Sequence, residues 1–578
     1  MSRGKGRITF SALFAVPLLF FSCASTPKPD GTSKIPSDDS VVTVTIPSSR
    51  KESRAYFSSI SSRVMELVEI GSPKTLRQAA SLLHKSVQEE YETNERVLLA
   101  VCAEIMHIVW PSEQVTWDVP QSDTVNPYMG AIDSARRGIY DSSTGNSDFL
   151  TILLPSLVLL SGVDRSDYYD VSEQSLSQAL SMRPDSVLAN YLLGKLKSAR
   201  KDYDAAFSYF EQCRKYAAEV FEVKFALAET LFLRGDMSRS LALSEELLSS
   251  YPQNVQLLEI CAESSFALGK MEKSESYVVR VLSLEPENLR YVLFRARILM
   301  EKGDFIRAAS LLDAYARNDV SSKNYLVLRA RLQRDWNKNN TAASETIASA
   351  MNLYPGDSEV LLLAAQIASS ANTSINGMDA LEIAQKVLEQ DPSSLSAAKI
   401  CISELIRKGE WQKAYTMSLG IMGRSSDSEI ISNHIDICLA LSKFTEATEC
   451  ADRMYKNAPQ SEAAQQAYIK VLVATGQRSL AKQMIASLMD GSGARMKSFL
   501  YYQRSFFGAT EDEILGDLRS SLTANPRNRD ALFRLYKIYY AKKDWRRAQY
   551  YLKQVVALDP LNTEVLRLNS ELNSLLGK

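Results

Sequence analysis

Prolines recur at one spacing through most of this chain, and that spacing limits its possible folds more than any other feature. Pro252 and Pro286 are 34 residues apart, as are Pro526 and Pro560. Pro184 to Pro252 is 68, Pro286 to Pro355 is 69, and Pro392 to Pro459 and Pro459 to Pro526 are each 67. Pro355 to Pro392, at 37, carries a small insertion. The 376 residues from Pro184 to Pro560 thus divide into eleven units averaging about 34. Small residues keep the same beat. Gly194, Ala228, Ala262, Ala296 and Ala330 are each 34 apart, with Ala365 after 35, and Ala206, Ser240, Ser274, Ala308 and Ala342 also run at 34. Within a unit, "ALFRLYKIYYAKKDWRRAQYYLKQVVALDPLN" (531–562) reads as two short helices, a turn at "KKDW" and a stop at Pro560. A small side chain midway along one helix lets its partner cross closely. A proline past the second helix cannot continue it.

These positions resemble the tetratricopeptide repeat (TPR) family. Counted from three residues after each proline, its units carry Gly or Ala at position 8, Ala or Ser at 20, a large apolar or aromatic residue at 24 and Pro at 32. The unit from Val187 supplies Gly194, Ala206 and Phe210; the unit from Val255 supplies Ala262, Ser274 and Pro286; the final unit keeps Ala548 and Pro560. Position 8 departs in later units, with Ile402, Asp436, Ile469, Tyr502 and Tyr536, and Ile514 stands at position 20 of the unit from Arg495. The resemblance implies an all-α fold, a right-handed superhelical solenoid of about twelve helix-turn-helix units. The repeat array is placed at 151–562, beginning with one degenerate unit, and a capping helix at 563–578. Residues 51–150 read as an N-terminal helical, TPR-like region, interrupted from Pro111 to about Asn146 by a loop with a helix at "AIDSARRGIY".

The N-terminus carries an export signal. Arg3, Lys5 and Arg7 precede the short apolar run "ITFSALFAVPLLFF", too short for an ordinary membrane span. "SCAS" follows, and Cys23 after Ser22 resembles a bacterial lipobox of the looser, spirochaete type that accepts Phe20. That resemblance implies cleavage after residue 22 and lipid on Cys23; an ordinary secretory signal with an incidental cysteine is the other reading. Residues 23–50 are rich in Ser, Thr and Pro and read as a disordered linker, with a reach of roughly 30 Å.

No catalytic motif emerges. His84, His107 and His434 are far apart in sequence and none sits in H-E-x-x-H. There is no P-loop, no G-x-S-x-G and no dinucleotide-binding turn. Cys102, Cys213, Cys261, Cys401, Cys438 and Cys450 form no C-x-x-C pair and read as buried thiols, although an exported location permits a bridge. The expectation is a non-enzyme without cofactor or metal. A formal charge of −1 gives no global attraction to nucleic acid, which is not expected as a partner.

Binding is expected on the first helices, which in TPR proteins line the concave face. There the sequence places Glu222, Glu229, Glu259 and Glu263, then Arg290, Arg297, Arg331 and Arg334. "FRARI" and "LRARL" put Arg297 and Arg331 on neighbouring rungs, where two guanidinium groups could grip a carboxylate or phosphate. Position 9 lacks the Asn of the family's clamp for chaperone tails. A second candidate is a basic patch of Arg534, Lys537, Lys542, Lys543, Arg546 and Arg547 among aromatic residues, several of which must also form the last hairpin's apolar face. The reading is a membrane-anchored scaffold for protein or peptide partners in the bacterial envelope, lipid-tethered to the cell or outer membrane and more readily periplasmic than surface-exposed. The alternative is a surface adhesin holding anionic host glycan or matrix through its basic patches.

Overall fold

The computed structural model describes residues 60–89, 93–115, 117, 127–141, 148–163, 166–423, 427–560 and 562–577. The expected signal peptide, Cys23 and the expected linker lie outside them. Among the described residues the chain is helical throughout, with no strand beyond an isolated bridge between Ile375 and Met378. It divides into two compact units, the division falling after Tyr291.

In the first unit, helices Ser62–Ile70, Pro73–Glu89, Thr93–Val109 and Pro127–Arg136 precede the repeats. Gly71 ends the first of them in the left-handed region, and its carbonyl accepts a 3.0 Å hydrogen bond from the indole of the fully buried Trp110. The degenerate unit has a one-turn helix, Phe149–Leu153, that tightens into a 3₁₀ helix, Leu154–Leu160, at Pro155, and then helix Tyr169–Met182. Proline removes an amide donor there, so the α-helical ladder cannot run on.

From Val187 to Leu558 eleven hairpins follow in register, closed by a single helix, Thr563–Leu575. Each proline that marks the period lies in the turn after a second helix. In most hairpins the inner turn contains a residue in the left-handed region, and in four of them an aspartate directly after it caps the second helix: Asp202, Asp236, Asp304 and Asp544. In the second hairpin these are Gly235 (φ 82°) and Asp236, whose side chain accepts from the Arg239 amide. An aspartate in that place satisfies one of the donors a helix start leaves open.

The hairpins cross at the small residues. Gly194, Ala206, Ala228, Ala262, Ala296, Ala308, Ala330, Ala365 and Ala548 are wholly buried. A side chain on Gly194 would collide with the Phe210 ring. Where position 20 is serine, its hydroxyl donates across the crossing to the facing backbone: Ser240 to the Ala228 carbonyl and Ser274 to the Ala262 carbonyl, each at 2.8 Å.

Three register readings change. The buried residue at the fifth crossing is Ala343; Ala342 is only half-buried, because the turn after Trp336 is one residue longer. In the hairpin Ser428–Asn457 the crossing residue is Ile435. Asp436 sits beside it at the edge and accepts from Lys470 at 2.7 and 2.8 Å. In the hairpin Ala494–Ala524 the close approach moves from Tyr502 and Ile514 to Ser498 and Ser521, whose hydroxyls lie 3.0 Å apart with the Asn528 amide donating to both. Ile514 rests instead on Gly508, where a side chain would not fit.

Candidate functional site

Polar side chains on the first helices of successive hairpins pair with one another, roughly one repeat apart. In the first unit Lys195 lies 3.8 Å from Glu229, and Arg290 donates to Glu263 at 2.6 Å. The Tyr291 hydroxyl donates to the same Glu263 oxygen at 2.8 Å. Glu259 lies one turn before Glu263 on helix Val255–Ala267. Burial pushes its carboxyl up, to about 7; Arg290 pulls it back, while Glu263 and Glu285 add to the rise.

Glu222 is not available to a ligand in the way its sequence position implies. It is buried and accepts from both the amide (2.7 Å) and the hydroxyl (2.8 Å) of Ser112. Burial raises its carboxyl, and those two bonds oppose the rise. The neighbouring Trp110 ring packs on Tyr191, 4.9 Å between centres. Residues 110–112 therefore rest on the first helices of the first two hairpins, and Glu222 holds them there.

In the second unit Arg331 donates to Glu301 at 2.9 Å. Arg334 forks Asp335 at 2.6 and 3.1 Å and reaches the Gln366 side chain at 3.0 Å. Arg297 is half-buried on helix Leu289–Glu301. An incoming anion would thus compete with carboxylates of the chain itself at Arg331 and Arg334, rather than meet two open guanidinium groups. A polar knot that the sequence did not reveal lies further along. Arg407 binds Glu404 (2.9 Å) and donates to the Asn372 side-chain oxygen (2.9 Å), and the Asn372 side-chain amide donates to Asp559 at 3.2 Å. Asn562 donates to the Arg407 backbone carbonyl at 3.0 Å, and Arg529 lies 3.2 Å from the nearly buried Asp559. Residues 155 to 187 positions apart are joined in this way, so the start of the capping segment docks back on the second unit's own inner helices.

The basic patch at the last hairpin is smaller than its sequence. Arg534 is half-buried, donates to the Ser505 hydroxyl at 2.9 Å and stacks on Phe506 at 3.7 Å; burial pulls its guanidinium down. Lys542 pairs with Glu511. Lys537, Lys543, Arg546 and Arg547 remain exposed. Of the aromatic residues, Tyr536 and Tyr539 are buried and only Tyr550 is widely exposed. The six cysteines among the described residues are buried and unpaired.

No family model matches the chain, and no curated protein matches it. Solved structures do. The Cut9–Hcn1 hetero-tetramer of the APC/C is similar at 15% identity over 76% of this chain and 83% of that one, with a TM-score of 0.38. The human IFIT1 dimer with PPP-AAAA is similar at 14% identity over 75% and 95%, with a TM-score of 0.35. YrrB, a TPR protein with an unusual peptide-binding site, is similar at 13% identity over 32% and 95%, with a TM-score of 0.28. These superpositions are partial, and the fold rests on the chain's own repeat of crossed hairpins.

Proposed function

We propose that this chain is a non-catalytic scaffold that binds protein or peptide partners along the first helices of its hairpins. The observation that supports it is the ladder of paired polar side chains on those helices, spaced about one repeat apart. Groups already held in place lose little freedom when a partner with matching charges displaces their internal contacts. A solenoid presents such groups over an extended surface, which suits a polypeptide better than a small molecule. The Cys23 lipobox supports a lipid tether in the bacterial envelope, periplasm-facing. Among the described residues no helix is long and apolar enough to cross a membrane. The adhesin reading would rest on Lys537, Lys543, Arg546 and Arg547, the exposed part of the basic patch.

The test is crosslinking in the native envelope followed by identification of the attached proteins, comparing wild type with Arg297→Glu plus Arg331→Glu. The double variant is expected to lose its crosslinked partner while remaining folded. An unchanged partner yield would eliminate the arginine rungs as the binding element. External protease on intact cells separates the two locations: protection until the outer membrane is opened supports the periplasmic scaffold, and digestion supports display.

A further inference from the structure

One hairpin of the second unit, helices Ser428–Ala440 and Phe444–Asn457, gathers a set of donor atoms that no repeat position calls for. His434 and Cys438 stand one turn apart on the first helix and Glu446 faces them from the second. His434 Nε2 lies 3.1 Å from Glu446 Oε1 and 3.4 Å from Cys438 Sγ. All three donor atoms fall within 4.8 Å of one another. Four ligands around a tetrahedral zinc-sized ion, with bonds of about 2.0–2.3 Å, stand roughly 3.3–3.6 Å apart. The two closest pairs are already near that spacing.

The surrounding hydrogen bonds hold His434 and Glu446 in place. The Ser418 hydroxyl donates to the Tyr415 carbonyl at 3.0 Å, which leaves its oxygen to accept from His434 Nδ1 at 2.9 Å. With Nδ1 protonated, the Nε2 lone pair points at a carboxylate oxygen. Two acceptors in that position repel unless a proton or a metal ion lies between them. The Tyr415 hydroxyl donates to Glu446 Oε2 at 2.9 Å and more weakly to Oε1 at 3.2 Å, and its ring stacks on His434. Metal sites commonly hold their histidine and carboxylate ligands from behind in this manner. His434 is wholly buried, whereas the Glu446 side chain is about one-third exposed, which leaves an entry path and room for a water. Lys443 is held over the Tyr415 ring, 3.9 Å from its centre, and adds positive charge that a carboxylate and a thiolate together must outweigh.

We propose that His434, Cys438 and Glu446 bind one divalent ion of the zinc class, with water in the fourth position. Mixed nitrogen, sulfur and oxygen donors suit zinc or cobalt and not calcium or magnesium, which prefer oxygen. Binding exchanges the Cys438 thiol proton for the metal–sulfur bond and releases that proton to water. The ion would join the two helices of a single hairpin.

The test uses the full chain, stripped with a chelator and titrated with cobalt(II) and then zinc(II) alone. One cobalt per chain is expected, with a thiolate-to-cobalt charge-transfer band and visible bands of a tetrahedral ion, both lost when zinc displaces it. Cys438→Ser should abolish the charge-transfer band, and Glu446→Gln should weaken cobalt binding roughly tenfold or more. Glu446→Gln sits at a partly exposed position and keeps a partner for Tyr415, so it reports on the site even if Cys438→Ser folds poorly. Zinc should raise the melting temperature of wild type, and that of Glu446→Gln by less at the same zinc concentration. A wild-type chain that takes up no cobalt, or one whose cobalt spectrum survives both substitutions, overturns the proposal and leaves His434 and Glu446 sharing a proton.

Discussion

The hairpins between Val187 and Gln390 cross differently from most of those beyond Leu395. In the earlier ones the first helix brings a small residue to the crossing, from Gly194 to Ala365, all buried. In the later ones it brings Ile402, Ile435, Ile469 or Tyr536, and the small residue is supplied only by the second helix, as Ala414, Ala447, Ala481 and Ala548. The repeat therefore needs one slim partner per crossing, and either helix can provide it. Two slim partners bring the backbones near enough for the Ser240 and Ser274 hydroxyls to reach a carbonyl. One slim partner leaves a hole that an isoleucine fills, exchanging a buried hydrogen bond for apolar area.

If that contrast is right, the same position should respond in opposite ways in the two regions. Ile469→Ala should leave a cavity against Ala481 and cost about 2–5 kcal/mol, read as faster hydrogen exchange in the hairpin Glu462–Met489. Ala296→Leu should overpack its crossing with Ala308 and cost about 1–3 kcal/mol. Near-equal tolerance of both changes would mean that the crossing distance does not differ between the regions. Ser274→Ala should cost about 1 kcal/mol, since it removes a buried hydrogen bond without emptying space.

The first unit's acidic inner face gives a pH-dependent version of the comparison. The Glu259 carboxyl is raised to about 7 in the folded chain, above its unfolded value of 4.5, so the folded state holds the proton more tightly. Its contribution to stability is full below that unfolded value and falls away as pH rises through 7. Glu259→Gln should therefore stabilise the first unit at pH 8 and not at pH 5, by about 1 kcal/mol once solvent screening is allowed for. Equal melting shifts at the two pH values would show that the half-buried Glu259 carboxyl is not the cause.

The period made the hairpins legible because proline and a slim crossing residue are local demands, repeated wherever the same two helices meet. Asp436, Tyr502 and Ala342 were placed a residue or a turn from the true crossings for a related reason. A fixed count from each proline cannot register one extra residue in a turn, such as that after Trp336, or a crossing built from Ser498 and Ser521. The site residues were harder to read, because what occupies them comes from far along the chain. Nothing near Glu222 announces Ser112, and nothing near Asn372 announces Asp559. His434, Cys438 and Glu446 had a weak signal in the four-residue step between the first two, which places them on one helix face. Their third partner required knowing which face of the next helix turns toward them.

The smallest effect tests the turns within the hairpins. Six of them use glycine in the left-handed region, for example Gly235, Gly269 and Gly476, whereas Lys201, Ser442 and Lys543 adopt it with a side chain (φ 58–63°). A residue with a Cβ in that region costs roughly 1–2 kcal/mol relative to glycine, while glycine gives back about 0.4–1 kcal/mol through a freer unfolded chain. Lys543→Gly should therefore stabilise the hairpin Arg529–Leu558 by about 0.5–1 kcal/mol. Lys543→Ala, which keeps the Cβ, should do much less. Because Lys543 is exposed and its neighbour Lys542 carries the ion pair with Glu511, loss of the charge itself should matter little. Slower amide exchange in Lys543→Gly, matched by Lys543→Ala, would shift the credit from backbone strain to the removed lysine.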